Sequence, residues 1–196
     1  MNILVAAPTE REYANAARAA ERQSRHTYTV IRCGIGKAAA AANIARVLTA
    51  DAGKFDLVAV MGYAAGSLGF RQGEIVMPEK AMYHDCDIPE GFIPEITDPR
   101  MLQGKDPITV FTGDSFVNAT IAGDIKRRFG VDKAIFDMEI TSIAIAAEEC
   151  GNVPVMAVKM ISDVPESGDN EFSYDKFADT HSDFGVFFEK LEELQA

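Results

Sequence analysis

The stretch VPVMAVKMISDVP, residues 153–165, is an apolar run that ends in Ser162 and Asp163 before Pro165 interrupts it. A continuous apolar run of this length is typical of a strand that is buried on both faces of a largely parallel sheet. We therefore predict a strand over 153–161, with Asp163 just beyond its carboxyl end. Ligands of open α/β sheets bind at that edge, so this acid stands where a functional site is expected.

The sequence on either side of this run predicts alternating strands and helices. Further strands are predicted over 2–7, 27–33, 55–61, part of 73–83, 108–112 and 133–136. Helices are predicted over 10–22, over an Ala-rich segment that reaches about residue 52, from a cap at Asp114 or Ser115 to 129, over 138–150, and over an amphipathic tail at 179–195. Residues 87–107 are proline-rich and predicted to be irregular, as in a lid, a binding loop or a subunit contact. This pattern predicts one α/β domain over 1–196, built as a sandwich around a largely parallel sheet.

The composition is that of a globular protein, with 47% apolar and 25% charged residues. The formal net charge of -11 argues against partners that are nucleic acids or anionic membranes. The start of the chain lacks the pattern of a secretory signal, and no stretch approaches the roughly 20 apolar residues of a membrane helix. Cys33, Cys86 and Cys150 lack metal-ligand spacing, so we expect free thiols in a reducing cytoplasm and no metal.

Three carboxylates occupy similar positions relative to the predicted strands. Glu12 follows the first strand, Glu139 follows the strand at 133–136, and Asp163 follows the last one. Right-handed crossovers bring the carboxyl ends of parallel strands to one edge, so we expect the three acids to converge on one cleft. Each acid taken alone is more simply a solvated side chain; their shared position favours a site.

The turn CGIGK at 33–37 does not have the spacing of a phosphate-binding loop. Ala38 follows Lys37 where a P-loop requires Ser or Thr, and Ala39 prevents a G-x-G-x-x-G match. We interpret the turn as a connection whose glycines let the backbone approach a ligand. His84, in YHDCD, is a candidate ligand or base, but without metal-ligand spacing a structural role is favoured.

Several of these motifs together resemble a known family. CGIGKAAAA, GYAAGSLGFRQGEIV, YHDCD, TGDSFVN, FDMEITSIA and MISDV occur in this order in the purine nucleoside phosphorylase and nucleosidase superfamily. The chain is most similar to the 5'-methylthioadenosine/S-adenosylhomocysteine nucleosidases, over nearly its whole length. The resemblance implies a three-layer α/β/α sandwich around a mixed, largely parallel sheet. It also implies a cytoplasmic homodimer that needs no cofactor, takes a small purine nucleoside, and serves methionine salvage by releasing adenine.

The resemblance also implies a role for each matching residue. Asp163 matches the acid that binds adenine and protonates the leaving base, and Ser162 its orienting neighbour. Glu139 matches the carboxylate on the ribose hydroxyls, and Glu12 the acid that positions and deprotonates water. The remaining matches are contacts of the sugar, the purine or the pocket wall, namely Met138, Phe116, Val117, Ile35 and Tyr174.

The residue types suit this chemistry. Cleavage of an N-glycosidic bond builds positive charge on the ribose and negative charge on the departing base. A proton donor at the base is worth roughly 10²–10⁴-fold, which requires Asp163 to hold a proton near neutral pH. An ionised Glu139 would favour the cationic transition state, and Glu12 would hold water against the anomeric carbon.

Two positions depart from the family pattern. Lys159 stands where the nucleosidases usually have Arg, and a Lys cannot form the bidentate contacts of a guanidinium. Tyr63 stands where a small Ser is expected. Both family residues lie near the water and the ribose, so we expect these changes to bear on rate and substrate choice. One strand precedes CGIGK where the family commonly has a hairpin, and the loop at 87–107 is short.

Three alternatives remain open from the sequence. Phosphorolysis would need arginines that hold phosphate, but the first strand is followed only by Arg11, and VMGYAAG has none. Other nucleosidases of the superfamily act on AMP or futalosine. A protein that binds nucleosides without cleaving them is the alternative from another class.

Overall fold

The structure, a computed structural model, describes residues 1–86, 88, 98–168 and 172–194. Its strands, in chain order, are β1 (Asn2–Ala7), β2 (Thr27–Arg32), β3 (Leu57–Gly66), β4 (Ile75–Val76), β5 (Pro78–Tyr83), β6 (Arg100–Met101), β7 (Asp106–Thr112), β8 (Ala134–Asp137) and β9 (Val155–Asp163). Its α-helices are α1 (Glu10–Ala20), α2 (Lys37–Ala50), α3 (Ala119–Phe129), α4 (Ile140–Glu149), α5 (Phe172–Thr180) and α6 (Gly185–Leu194). A short 3-10 helix, Pro165–Ser167, follows β9.

The described strands form one sheet that is mixed and largely parallel. β1 pairs in parallel with β2 and β3, β3 pairs in parallel with β9, and β7 pairs in parallel with β5 and β8. β8 meets the end of β3 in the antiparallel sense, as β4 meets β9 and β6 meets β5. Apolar residues of α2 and α4, such as Ile44 and Ile143, cover one face, and those of α1, α5 and α6, such as Ala16 and Phe188, cover the other. The predicted three-layer α/β/α sandwich is therefore confirmed.

The central strands carry the apolar runs that predicted them. Residues 3–7 of β1 are fully buried. Alternate side chains of β3, such as Val58 and Ala59, enter the cores on opposite faces of the sheet. None of the helices in the described part of the chain has the length and apolar content to cross a membrane.

The prediction that the third strand ends at Met61 is wrong, because β3 continues to Gly66. Its last residues keep pairing with β9 and then with β8, with a register shift between Ala64 and Ala65. Taken alone, the glycines and alanines of GYAAG predict a turn. Here their small side chains let two neighbouring strands approach, so pairing outweighs local preference. Tyr63 therefore lies within a strand and not in a turn.

Other boundaries also differ. The cap of α3 is Asn118, whose side chain accepts a hydrogen bond from the Ile121 N–H, and not Asp114 or Ser115. The tail forms two helices, because the chain between α5 and α6 turns at 181–184. Irregular structure was predicted over 87–107, but β6 and the start of β7 lie in that range. Residues 87 and 89–97 of the predicted lid or contact loop lie outside the described residues.

Candidate active site

A cleft of about 170 Å³ opens where β1, β8 and β9 end. Ten of the eleven predicted site residues line it, namely Glu12, Ile35, Tyr63, Phe116, Val117, Met138, Glu139, Ser162, Asp163 and Tyr174. The eleventh, Lys159, is absent from the described lining and is fully buried. The three acids predicted to converge thus share one cleft.

The end of β3 brings these acids together. Ala65 of β3 pairs with Asp163 of β9 on one side and with Phe136 of β8 on the other. The strand therefore sets the end of β8, which leads to Glu139, beside the end of β9. If the chain turned at GYAAG, as the sequence predicted, β3 would end too early to pair with the ends of β8 and β9.

Glu12 is held by three protein donors. Its Oε2 accepts hydrogen bonds from the N–H and hydroxyl of Thr9 at 3.0 and 2.6 Å, and its Oε1 accepts from the Tyr63 N–H at 3.0 Å. Thr9 in turn caps α1, so Glu12 belongs to a reciprocal capping box. A Cβ atom at Gly62 would overlap Glu12 Oε1, so the carboxylate needs a glycine at that position. The side chain is 2% exposed, yet it borders the cleft.

Glu139 is the N-cap residue of α4, but its side chain does not cap that helix. Asp137 does so instead: its Oδ2 accepts from the Ile140 N–H at 2.9 Å, and its Oδ1 accepts from the Thr112 hydroxyl at 2.7 Å. The Glu139 carboxylate is thereby left to accept a hydrogen bond from the Gly36 N–H at 2.9 Å. Burial, with the negative charge of Asp137, raises the pKa of Glu139 to about 7.

Asp163 ends β9 and is half-buried. The Ser162 hydroxyl donates to its Oδ1 at 2.5 Å, which is the orienting contact expected from the sequence. The Ser162 carbonyl accepts from the Gln72 side chain at 2.6 Å, so this strand end is itself held in place.

The segment that follows Asp163 is fastened to the rest of the molecule. Glu166, in the 3-10 helix, accepts hydrogen bonds from the Leu68 N–H at 2.9 Å and pairs with Lys126 of α3 at 2.8 Å. Both side chains of the pair are mostly buried, at 13% and 20% exposed. This ion pair and hydrogen bond act as a clamp just beyond the proton-donor candidate.

Tyr63 occupies the site differently from the Ser expected in the family. Its ring packs edge-on against Tyr174, Phe177 and Phe184, and its hydroxyl donates to the His181 carbonyl at 2.6 Å. The contact with Glu12 comes from its backbone N–H, which any residue except proline would supply. The change to tyrosine therefore fixes α5 and α6 against the sheet and leaves the Glu12 contact intact.

Apolar side chains form the rim of the cleft. Phe116 and Ile35 are 66% and 59% exposed, although large apolar residues are usually covered. Both border the same opening, with Val117 and Tyr174 deeper in the wall. This rim fits a ligand that has apolar faces.

Sequence reasoning missed several residues of the site, above all Thr9, Gly62 and Asp137. The spacing T-x-x-E at 9–12 is the signature of a capping box and could have revealed Thr9. Asp137 directly follows a buried strand, the same signal that selected Asp163. Nothing in the sequence marks Gly62, because a side chain is excluded there only by the approach of Glu12 in the folded protein.

The remaining candidates have protein partners or lie elsewhere. The Gly36 N–H of the CGIGK turn binds Glu139, and the Lys37 side chain pairs with Asp85 at 2.8 Å. His84 is buried against Gly113 and does not line the described cleft, and burial lowers its pKa. In the described part of the chain, no three or more His, Cys, Asp or Glu side chains are grouped to hold a metal ion.

Solved structures with this architecture include nucleosidases. A 5'-methylthioadenosine/S-adenosylhomocysteine nucleosidase from Colwellia psychrerythraea in complex with adenine superposes with a TM-score of 0.75 at 20% identity, covering 93% of this chain and 90% of that chain. An S-adenosylhomocysteine nucleosidase from Streptococcus pyogenes in complex with 5-methylthiotubericidin gives 0.80 at 20% identity and 97% coverage of both chains. A futalosine hydrolase mutant of Helicobacter pylori gives 0.80 at 16% identity, covering 98% and 99%.

At these identities the similarity establishes the fold. The family follows from the sequence itself, because the model of the phosphorylase superfamily matches residues 4–191. This range contains the strand ends, the cleft and all three acids. The chain therefore belongs to the phosphorylase superfamily.

Proposed function

We propose that this protein hydrolyses the N-glycosidic bond of an adenine nucleoside and releases adenine. The observation that carries the proposal is a single cleft bordered by Asp163, Glu139 and Glu12, with no Lys, Arg or His among its described lining residues. Asp163 donates a proton to the base, Glu139 binds the ribose hydroxyls and favours the cationic sugar, and Glu12 orients the attacking water. One water is consumed, and the products are adenine and the free sugar.

The absence of cations from the described lining favours water over phosphate as the nucleophile. The CGIGK turn is already engaged with carboxylates, since the backbone N–H groups of Gly36 and Lys37 donate to Glu139 and Asp114. Arg11, the arginine nearest the first strand in sequence, pairs with Asp175 and Asp179 on α5. A phosphate in the cleft would therefore face carboxylates and no cationic side chain of the described lining.

The same lining favours an uncharged 5' substituent over a phosphate. The wall contains Pro8, Ile35, Phe116 and Val117, so a thioether-substituted nucleoside such as methylthioadenosine fits better than AMP. The motif resemblance further supports a cytoplasmic homodimer that acts in methionine salvage.

The test measures adenine or hypoxanthine release from methylthioadenosine, S-adenosylhomocysteine, adenosine, AMP, futalosine and inosine, each with and without phosphate. We expect release without phosphate, fastest from a thioether substrate, and a loss of roughly 10²–10⁴-fold in Asp163→Asn. Asp132→Asn, at an exposed position, is the matched control and should keep full activity.

A requirement for phosphate would replace hydrolysis by phosphorolysis. Adenine binding without release from any nucleoside would identify a binding protein instead. Full turnover by Asp163→Asn would remove that residue from the role of proton donor.

A further inference from the structure

Lys159 is a charged side chain in the interior of the sheet. It lies within β9, where it pairs with Gly62 of β3 and Val76 of β4, and it is 0% exposed. Lysine is almost never fully buried unless an opposite charge accompanies it. Its Nζ lies 3.7 Å from Asp137 Oδ2 and has no hydrogen-bond partner among the described residues.

Lys159 does not act on a ligand through direct contact in this geometry. It is absent from the described lining of the cleft, whereas its partner Asp137 and the neighbouring Glu139 both belong to that lining. Asp137 is fixed by the Thr112 hydroxyl and the Ile140 N–H, so the pair has a rigid acidic member. The ammonium is thus buried next to an acid that lines the cleft, without belonging to the described lining itself.

Four elements around β9 present an ionisable group to this centre. α1 contributes Glu12, the end of β2 is followed by Cys33, β8 contributes Asp137, and the start of α4 is preceded by Glu139. Lys159 is the one cation among the described charged groups that act on Glu139. Burial alone would lower the pKa of Lys159, but Asp137, Glu139 and Glu12 outweigh it and raise the pKa, so the ammonium keeps its charge.

Opposing influences set the pKa of Glu139. Burial and Asp137 raise the pKa of this carboxyl, while Lys159 and the Gly36 N–H lower it, with a result of about 7. A group with this pKa is only partly ionised at neutral pH. Loss of the one opposing cation would leave it protonated.

We propose that Lys159 is a positioning residue that acts by charge: its buried ammonium, braced by Asp137, keeps Glu139 ionised without touching the substrate. The kinetic consequence rests on the proposed function, since an ionised Glu139 is needed to favour the cationic sugar. The relation between the three charges belongs to the free protein and can be measured without any substrate.

The experiment titrates Glu139 directly by NMR of protein labelled at its glutamate carboxyl carbons, with Glu139→Gln to assign the resonance. In Lys159→Met the pKa of Glu139 should rise by about one pH unit or more. In Lys159→Arg, which keeps the charge, it should stay within about half a unit of the wild-type value. In Lys159→Met the acid limb of the pH profile for adenine release should shift to higher pH together with the pKa of Glu139. Activity that this variant loses at pH 7 should therefore return at higher pH.

A second pair of variants covers the case in which Lys159→Met does not fold, because it leaves a buried acid unpaired. Asp137→Asn should lower the pKa of Glu139, and adding Lys159→Met to that background should raise it again. A pKa of Glu139 that does not respond to loss of Lys159 in either background would overturn the inference. An equal shift in Lys159→Arg would do the same, because charge would not be the cause. Absence of adenine release with the expected titration would refute the proposed function alone.

Discussion

At the scale of single residues, the site depends on one position where a side chain is missing. Gly62 lies in β3 opposite Lys159, and a Cβ there would overlap the Glu12 carboxylate, which we propose orients water. Such a requirement leaves no mark in a sequence, because it arises from the contact between two segments about fifty positions apart.

Gly62→Ala is expected to displace Glu12 and to lower the rate of adenine release by about 10²-fold, since small errors in position cost that much. An alanine there also strains the backbone, because φ at Gly62 is 152°, so some loss of thermal stability is expected beside the loss of rate. Rates and thermal unfolding of the variant would be compared with those of Gly123→Ala, on α3, where the nearest atom to a new Cβ is the Arg127 guanidinium at 3.4 Å. Wild-type activity in Gly62→Ala would show that the Glu12 position is not critical.

At the scale of elements, the clamp joins three parts of the chain, namely the 3-10 helix that follows β9, the segment after β3 and helix α3. Glu166 binds the Leu68 N–H and Lys126 of α3 within three residues of Asp163. An ion pair that is mostly shielded from water is screened less than a surface pair.

A double-mutant cycle with Glu166→Gln and Lys126→Met should give a coupling of about 1 kcal/mol in the free energy of unfolding. The exposed pair Lys190–Glu193, 41% and 50% exposed, is the matched control and should give a much smaller coupling. Both cycles are measured by urea unfolding, with adenine release recorded for each variant. Equal coupling in the two pairs would mean that shielding adds nothing at the clamp.

The elements also show what the sequence could and could not predict. The apolar runs of β1 and β9 predicted buried strands, because burial on both faces leaves a local trace. The extension of β3 past Gly62 left none, since it is fixed by pairing with β8 and β9. The three acids could be predicted to converge, because each follows a strand that is recognisable in the sequence. The burial of Lys159 could not be predicted, because it depends on how β9 packs against its neighbours.

At the scale of the whole molecule, the raised pKa of Glu139 couples the stability of the fold to pH. Between its ordinary value of 4.5 and about 7, the folded protein holds a proton that the unfolded chain releases. The contribution of Glu139 to the free energy of unfolding should therefore fall as the pH rises through this window.

Glu139→Gln should remove this dependence. We expect the variant to match the wild type near pH 5 and to exceed it near pH 8 by about 2 kcal/mol in the free energy of unfolding. Urea unfolding at the two pH values would test this, with Glu149→Gln at the exposed end of the same helix as control. If the stability of the wild type relative to Glu139→Gln did not fall between the two pH values, the raised pKa would be contradicted.

The capping box at the start of α1 affects how the protein loses activity on warming. The Glu12 carboxylate fastens the start of α1 and is also the group that we propose orients the water, so fraying of a single helical turn would release it. Helix ends open at lower free-energy cost than the sheet beneath them. On warming, catalysis should therefore cease at a temperature where the sheet is still intact, and cooling should restore it.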